Sequence, residues 1–185
     1  IYAGMKRLRD RYGEEIRRRF PRIPRRVSGY NLDELLPENH FHVARALVGS
    51  EGTLVTVLSA ELELMHSPPC RRLAVLAFAD AFLAADAVPN VIEHGPIGLE
   101  GIDALLLDFM RRKQLAVEDV RLLPEGGGFL LVEFGAESNK EAEARARDFV
   151  AASARFAPPP LSGRVYEPDD AGRIWHVREW AWGAM

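Results

Sequence analysis

The stretch Leu73-Ala74-Val75-Leu76-Ala77-Phe78 decides the reading of this chain. Six apolar residues in a row, too short for an ordinary helix, read as a buried strand. Immediately upstream, Ser67-Pro68-Pro69 breaks the preceding pattern and marks a domain boundary. Downstream, the periodicity alternates. Residues 81–92 form an Ala-rich helical segment with Pro89 near its end, and 97–102 a second strand. Residues 104–113 form a short helix carrying Leu105, Leu106, Phe109 and Met110. Gly126-Gly127-Gly128 precedes a third strand, 129–134. Ser138 and Glu141 form a capping box, opening a helix with Ala142, Ala146, Phe149, Val150 and Ser153 on one face. Pro158-Pro159-Pro160 breaks the chain again, 164–166 reads as a fourth strand, and 174–182 as an aromatic-rich last helix. The order β-α-β, β-α-β predicts a ferredoxin-like α+β sandwich. One antiparallel sheet would carry two helices on one face, leaving the other face free to lie over something else. The triple glycine reads as a plain loop, because no Gly-Lys-Ser/Thr follows it and it leads into a strand.

Composition narrows the class. The chain has 185 residues, 48% hydrophobic and 28% charged, which suits a folded globular protein of one domain or two small ones. A net charge of -3 removes any bulk electrostatic case for nucleic acid. The single cysteine, Cys70, excludes an internal disulfide and suits a reducing, cytoplasmic setting. No apolar run approaches the length of a membrane span. The sequence opens on Ile1 without an initiator methionine or targeting pattern, and so reads as a chain that begins inside a longer protein.

Upstream of the proline pair, residues 5–20 predict a helix, with Leu8, Tyr12, Ile16 and Phe20 four apart among many arginines. Interleaved Glu14 and Glu15 make that cationic face a solvated one. Pro21 and Pro24 end the helix, and Arg25 and Arg26 follow as adjacent cations, suited to an acidic substrate or equally to a solvated surface. Residues 32–36 form a short apolar turn stopped by Pro37, and 44–48 a short helix. Gly49-Ser50-Glu51-Gly52-Thr53 then gives a tight turn, which is either plain punctuation of the chain or one whose backbone a ligand can approach closely. Residues 54–64 alternate with period two and predict a strand or a hairpin. His40 and His42 lack further metal ligands nearby, and His66, His94 and His176 have no spacing partners. Cys70 precedes two arginines, Arg71 and Arg72, yet it has no catalytic partner. Glu100, Asp103 and Asp108 are carboxylates able to line a cleft. No metal site is expected.

The run Arg25-Arg26-Val27-Ser28-Gly29-Tyr30-Asn31-Leu32, followed by Leu47-Val48-Gly49-Ser50-Glu51-Gly52-Thr53-Leu54, resembles the FAD-linked oxidases of the vanillyl-alcohol-oxidase type. D-lactate, glycolate and D-2-hydroxyglutarate dehydrogenases belong to that family. Leu99-Glu100-Gly101, residues 124–134 and Ile174-Trp175-His176-Val177-Arg178-Glu179 are similar to its subgroup fused to an iron–sulfur module. The resemblance implies that residues 1–66 are the C-terminal part of an FAD-binding domain. Residues 70–185 would be the N-terminal part of the cap, or substrate, domain, whose sheet covers the flavin. Gly49, Ser50, Glu51, Gly52 and Thr53 would pass close to FAD, Tyr30 and Asn31 would shape the same wall, and Arg25 or Arg26 would meet the substrate carboxylate. The implied reaction is hydride transfer from a small 2-hydroxy acid to flavin, with the electron acceptor open. The family's upstream pyrophosphate loop, its His-x-His motif and a Cys cluster for iron–sulfur are absent from these residues, and Trp180-Ala181-Trp182 replaces the small residues expected after Glu179. The expectation is therefore a fragment holding at most half a flavin site, with any cluster outside it. The rival expectation is a non-enzymatic ferredoxin-like interaction domain that uses the arginine-rich helix as its contact surface.

Overall fold

The arginine-rich stretch folds as helix α1, Tyr2–Arg19. The computed structural model describes residues 1–23, 26 and 29–184, with side chains as far as Trp180. The chain divides into two units, Ile1–Leu64 and Met65–Met185.

In the first unit, α1 buries Gly13 and Ile16, while Leu8 and Tyr12 on the same stripe stay exposed. It ends where Phe20 turns to extended backbone, φ -70° and ψ 123°, just before Pro21. Pro24 lies outside the described residues. The helix packs on a 3-10 turn, Leu32–Leu35, which is followed by a second, Pro37–Asn39. Leu35 and Leu36 are buried there. Arg17 ties α1 to the second turn through a bidentate pair, donating from Nε to Glu38 Oε1 at 2.6 Å and from a terminal nitrogen to Oε2 at 2.9 Å. Helix α2, Val43–Leu47, starts at His42, whose Nδ1 accepts from the Arg45 N–H at 3.2 Å.

Residues 54–64, expected as a strand or hairpin, form neither. Alternation sorts side chains between two faces, but a strand also needs a neighbour to take up its N–H and C=O groups. Every described strand belongs to the second unit. The apolar residues of this segment stand in the open, Leu58 at 94% exposure and Leu64 at 91%.

The second unit runs β1 (Cys70–Phe78), α3 (Ala81–Ile92), β2 (Gly98–Asp103), α4 (Ala104–Arg112), α5 (Val117–Val120), β3 (Gly128–Ala136), α6 (Asn139–Ser153), β4 (Ser162–Tyr166) and α7 (Pro168–Ala184). The sheet order is β2-β3-β1-β4, antiparallel throughout, with Leu73 opposite Glu133 on one side and Tyr166 on the other. This is the expected ferredoxin-like order. The free sheet face is not found: both faces are covered. Leu73, Val75 and Ala77 point into one core with Leu107, Met110, Val120, Ile174 and Val177, from α4, α5 and α7. Ala74, Leu76 and Phe78 point into the other with Ala84, Ala87, Val91, Ala146 and Phe149, from α3 and α6. The cause is legible in β1 and β3, which are apolar on both faces and would expose several large side chains if either were left bare.

Two elements depart from expectation. Helix α5 is additional, seating Val120 in the first core. Helix α7 starts at Pro168, six residues before the predicted start, with Asp169 and Asp170 in its first turn, a start that suits both the proline ring and the helix dipole. The capping box is half formed. Ser138 Oγ accepts from the Glu141 N–H at 3.3 Å, but the Glu141 carboxylate takes Arg145 at 2.7 Å instead.

The triple glycine is a close-approach device. The Gly127 N–H donates to the Phe78 carbonyl at 2.8 Å, and a Cβ at Gly127 would lie 2.2 Å from the Ala79 carbonyl oxygen. Gly127→Ala should therefore cost about 3 kcal/mol by forcing two backbone segments apart. Gly172→Ala, where a Cβ meets nothing within 4 Å, should be neutral or stabilise α7 by up to about 1 kcal/mol. Urea unfolding of the two variants checks the contrast.

Candidate functional site

The turn after α2 is built on left-handed backbone. Gly49, Glu51 and Gly52 have φ of 78°, 49° and 75°. Glycine accepts that region freely, whereas Glu51 does so at a cost of about 1 kcal/mol. Two N–H groups are spent inside: Ser50 donates to the Leu47 carbonyl at 3.2 Å and Thr53 to the Ser50 carbonyl at 2.9 Å. The N–H groups of Glu51 and Gly52 have no partner among the described residues. Ser50 is 6% exposed, and its hydroxyl likewise has no side-chain partner among them. A Cβ at Gly49 or Gly52 would meet nothing within 4 Å, so the backbone there is open to an approaching group. These features fit a ligand rich in oxygen acceptors: free donors on a shaped backbone with no side chain in the way.

Tyr30 and Asn31 stand beside this turn, as the sequence implied, but their polar ends are engaged. The Tyr30 hydroxyl is 2.9 Å from Thr53 Oγ1, which itself donates to the Ser50 carbonyl at 2.6 Å. Asn31 Nδ2 donates to the Val48 carbonyl at 3.0 Å. Arg26 is engaged as well. Its guanidinium makes two bonds to Asp33, at 2.8 and 2.6 Å, and lies over the Phe20 ring at 4.9 Å. Beside it opens a cavity of about 360 Å³ lined by Arg17, Phe20, Arg22, Arg26, Asp33 and Glu38 among others. Arg25, the other candidate for a substrate carboxylate, lies outside the described residues, as do Val27 and Ser28.

The remaining candidates have structural partners. Asp103 caps α4 by accepting from the Leu106 N–H at 2.7 Å, Asp108 pairs with Arg112 at 2.6 Å, and Glu100 with Arg178 at 3.0 Å. His94 packs edge-on against Phe149, and His66 pairs with Glu137 at 2.7 Å. Cys70 Sγ rests 3.9 Å from the Glu137 carbonyl. Among the described residues, no group of three or more His, Cys, Asp or Glu could hold a metal. On α1 several cations are paired with acids: Arg18 and Arg19 with Glu15, and Arg9 with Asp10. One important cation was missed. Arg72, 6% exposed, donates to Glu167 at 2.8 Å and lies 3.7 Å from Glu143, while its Nε has no hydrogen-bond partner among the described residues. In the sequence Arg72 is indistinguishable from its neighbour Arg71, which reaches out to Glu133 and Ser67.

Residues 67–185 match the family model described as FAD linked oxidases, C-terminal domain, and the chain belongs to the FAD-linked oxidases. Among curated relatives, the D-2-hydroxyglutarate dehydrogenase of Escherichia coli is 30% identical over 94 residues, half of this chain and 9% of that protein. The enzyme of the same name from Pseudomonas putida is 28% identical over 163 residues, 81% of this chain and 16% of that protein. That from Pantoea ananatis is 29% identical over 133 residues, 67% of this chain and 13% of that protein. This chain thus spans no more than about a sixth of the length of these relatives.

The bidentate hydrogen bonds from Arg17 hold the Glu38 carboxyl down at about 2, against an ordinary value of 4.5. Because the folded pKa is depressed, the pair contributes above the ordinary carboxylate range and its contribution is lost as pH falls towards 2. NMR titration should find Glu38 ionised at pH 3, and Arg17→Gln should return its midpoint towards 4.5.

Proposed function

We propose that this chain is part of an FAD-dependent oxidoreductase that oxidises a small 2-hydroxy acid by hydride transfer to flavin. The match of residues 67–185 to the FAD-linked oxidases carries the reading. The shared name of the curated relatives supports D-2-hydroxyglutarate as the first substrate to try, ahead of D-lactate and glycolate. The reading assigns residues 1–66 to the end of an FAD-binding domain and 70–185 to the start of the cap. Bound FAD would supply the hydride acceptor. Gly49, Ser50, Glu51, Gly52 and Thr53 would hold it, the free N–H groups of Glu51 and Gly52 and the Ser50 hydroxyl being the donors available for its oxygens. Arg25 or Arg26 would meet the substrate carboxylate. Arg26 would do so by sharing its guanidinium with Asp33, whose carboxylate keeps the fork oriented. A cytoplasmic location accords with the single cysteine, and an iron–sulfur cluster would be held by residues outside these 185.

The alternative of a contact surface on α1 has little support, since acids neutralise several of its arginines. The test is an anaerobic dye-reduction and flavin-bleaching assay on the protein purified with its flavin, offering the three acids in competition. Bleaching by one of them is expected, whereas purification without flavin removes the oxidoreductase reading. The 185 residues alone should bind little or no FAD, because they offer donors from one turn only. Stoichiometric yellow protein from these residues would contradict this limit.

A further inference from the structure

Tyr30 and Asn31 are consecutive, yet they grip opposite ends of the same turn. Asn31 Nδ2 donates to the carbonyl of Val48, the residue before Gly49. The Tyr30 hydroxyl meets Thr53 Oγ1, the residue after Gly52. The direction of that second bond follows from the neighbouring one. Thr53 has a single hydroxyl proton, which goes to the Ser50 carbonyl at 2.6 Å, so Thr53 Oγ1 accepts and Tyr30 donates. The result is a relay from the Tyr30 hydroxyl through Thr53 Oγ1 to the Ser50 carbonyl, which also receives the Thr53 N–H. Between the two grips, three of four residues are left-handed, one of them the non-glycine Glu51.

We propose that Tyr30, Asn31 and the Thr53 hydroxyl are positioning residues. They brace the turn in its left-handed form and leave contact with the cofactor to the N–H groups of Glu51 and Gly52 and the hydroxyl of Ser50. This rests on the FAD reading above and divides six of its seven candidate residues into two kinds, Gly49 serving the backbone alone. A five-residue turn held at one end only would sample other backbone conformations, and binding would have to pay the ordering cost. With both ends held, the donors are set before the ligand arrives. The Tyr30 proton and the Asn31 amide, already engaged, are poor candidates for contacts to the flavin.

The test is a double-mutant cycle on the flavin-containing protein, with Tyr30→Phe, Thr53→Val and the pair. The readouts are the FAD dissociation constant of the deflavinated protein, measured by flavin fluorescence, and the visible spectrum of the reconstituted protein. Each single variant should weaken FAD binding about three- to tenfold, the size of one lost hydrogen bond. The pair should weaken it no more than the worse single variant, because both break the same relay. Thr53→Ser, which keeps the hydroxyl, should bind FAD as the parent does, and the melting temperature of each flavin-free variant should fall by no more than a few degrees, the size of one lost hydrogen bond. Additive losses would overturn the proposal by pointing to separate direct contacts. Unchanged affinity in Tyr30→Phe would overturn it too, as would a Thr53→Ser variant as weak as Thr53→Val. Parent protein that binds no FAD would instead remove the reading on which the proposal rests.

Discussion

The second unit depends on the double-sided burial of one strand. β1 pairs with β3 on one side and β4 on the other, and from Leu73 to Phe78 every residue is buried. Odd-numbered side chains enter one core and even-numbered ones the other. A central strand of this kind cannot sit in a two-layer sandwich with one bare face, because two large apolar side chains of β1, with those of β3 beside them, would meet water. The helices α4, α5 and α7 answer that requirement. The triple glycine belongs to the same constraint: the start of β3 must lie against the backbone at the end of β1, and any Cβ at Gly127 or Gly128 would collide with carbonyl oxygens there.

Polar residues divide between those that build and those left available. Arg72, nearly buried, is held by Glu167 and Glu143 at the end of the central strand. Such an arginine anchors by geometry, since removing both acids would leave a nearly buried charge without a partner. Tyr166 spends its hydroxyl on the Leu122 carbonyl at 2.6 Å, and burial pushes its pKa up, so it stays a neutral donor. In the first unit the same division explains the turn after α2. Side chains whose polar atoms are engaged shape the backbone, and the Glu51 and Gly52 N–H groups have no partner among the described residues.

Much of the second unit was legible. The bounds of α3 agree with the sequence reading, and β1, β3 and α6 differ from it by a few residues at their ends. These elements have strong periodicity or an end marked by Asp80 or Ser138. The short helix α5 was not seen, because four residues are too few to show a period and its core contact, Val120, is a single side chain. Residues 54–64 failed in the opposite way: a strong period without a partner strand yields no ladder. For the candidate site, the glycine spacing was visible and the hydrogen bonds were not. Tyr30 and Thr53 lie 23 residues apart, and nothing in the spacing of Arg26 and Asp33 reveals that they pair.

The sequence by itself determined the antiparallel α+β order, the place of the glycine turn and the family, because each depends on local pattern or on residues close together in the chain. Tertiary structure alone decided that both sheet faces are covered, that Arg72 rather than Arg71 is buried, and that Tyr30 and Asn31 hold the turn. Those outcomes depend on which distant groups meet. Burial and hydrogen-bond saturation act through space, and two residues identical in sequence context part company according to the neighbour each one finds.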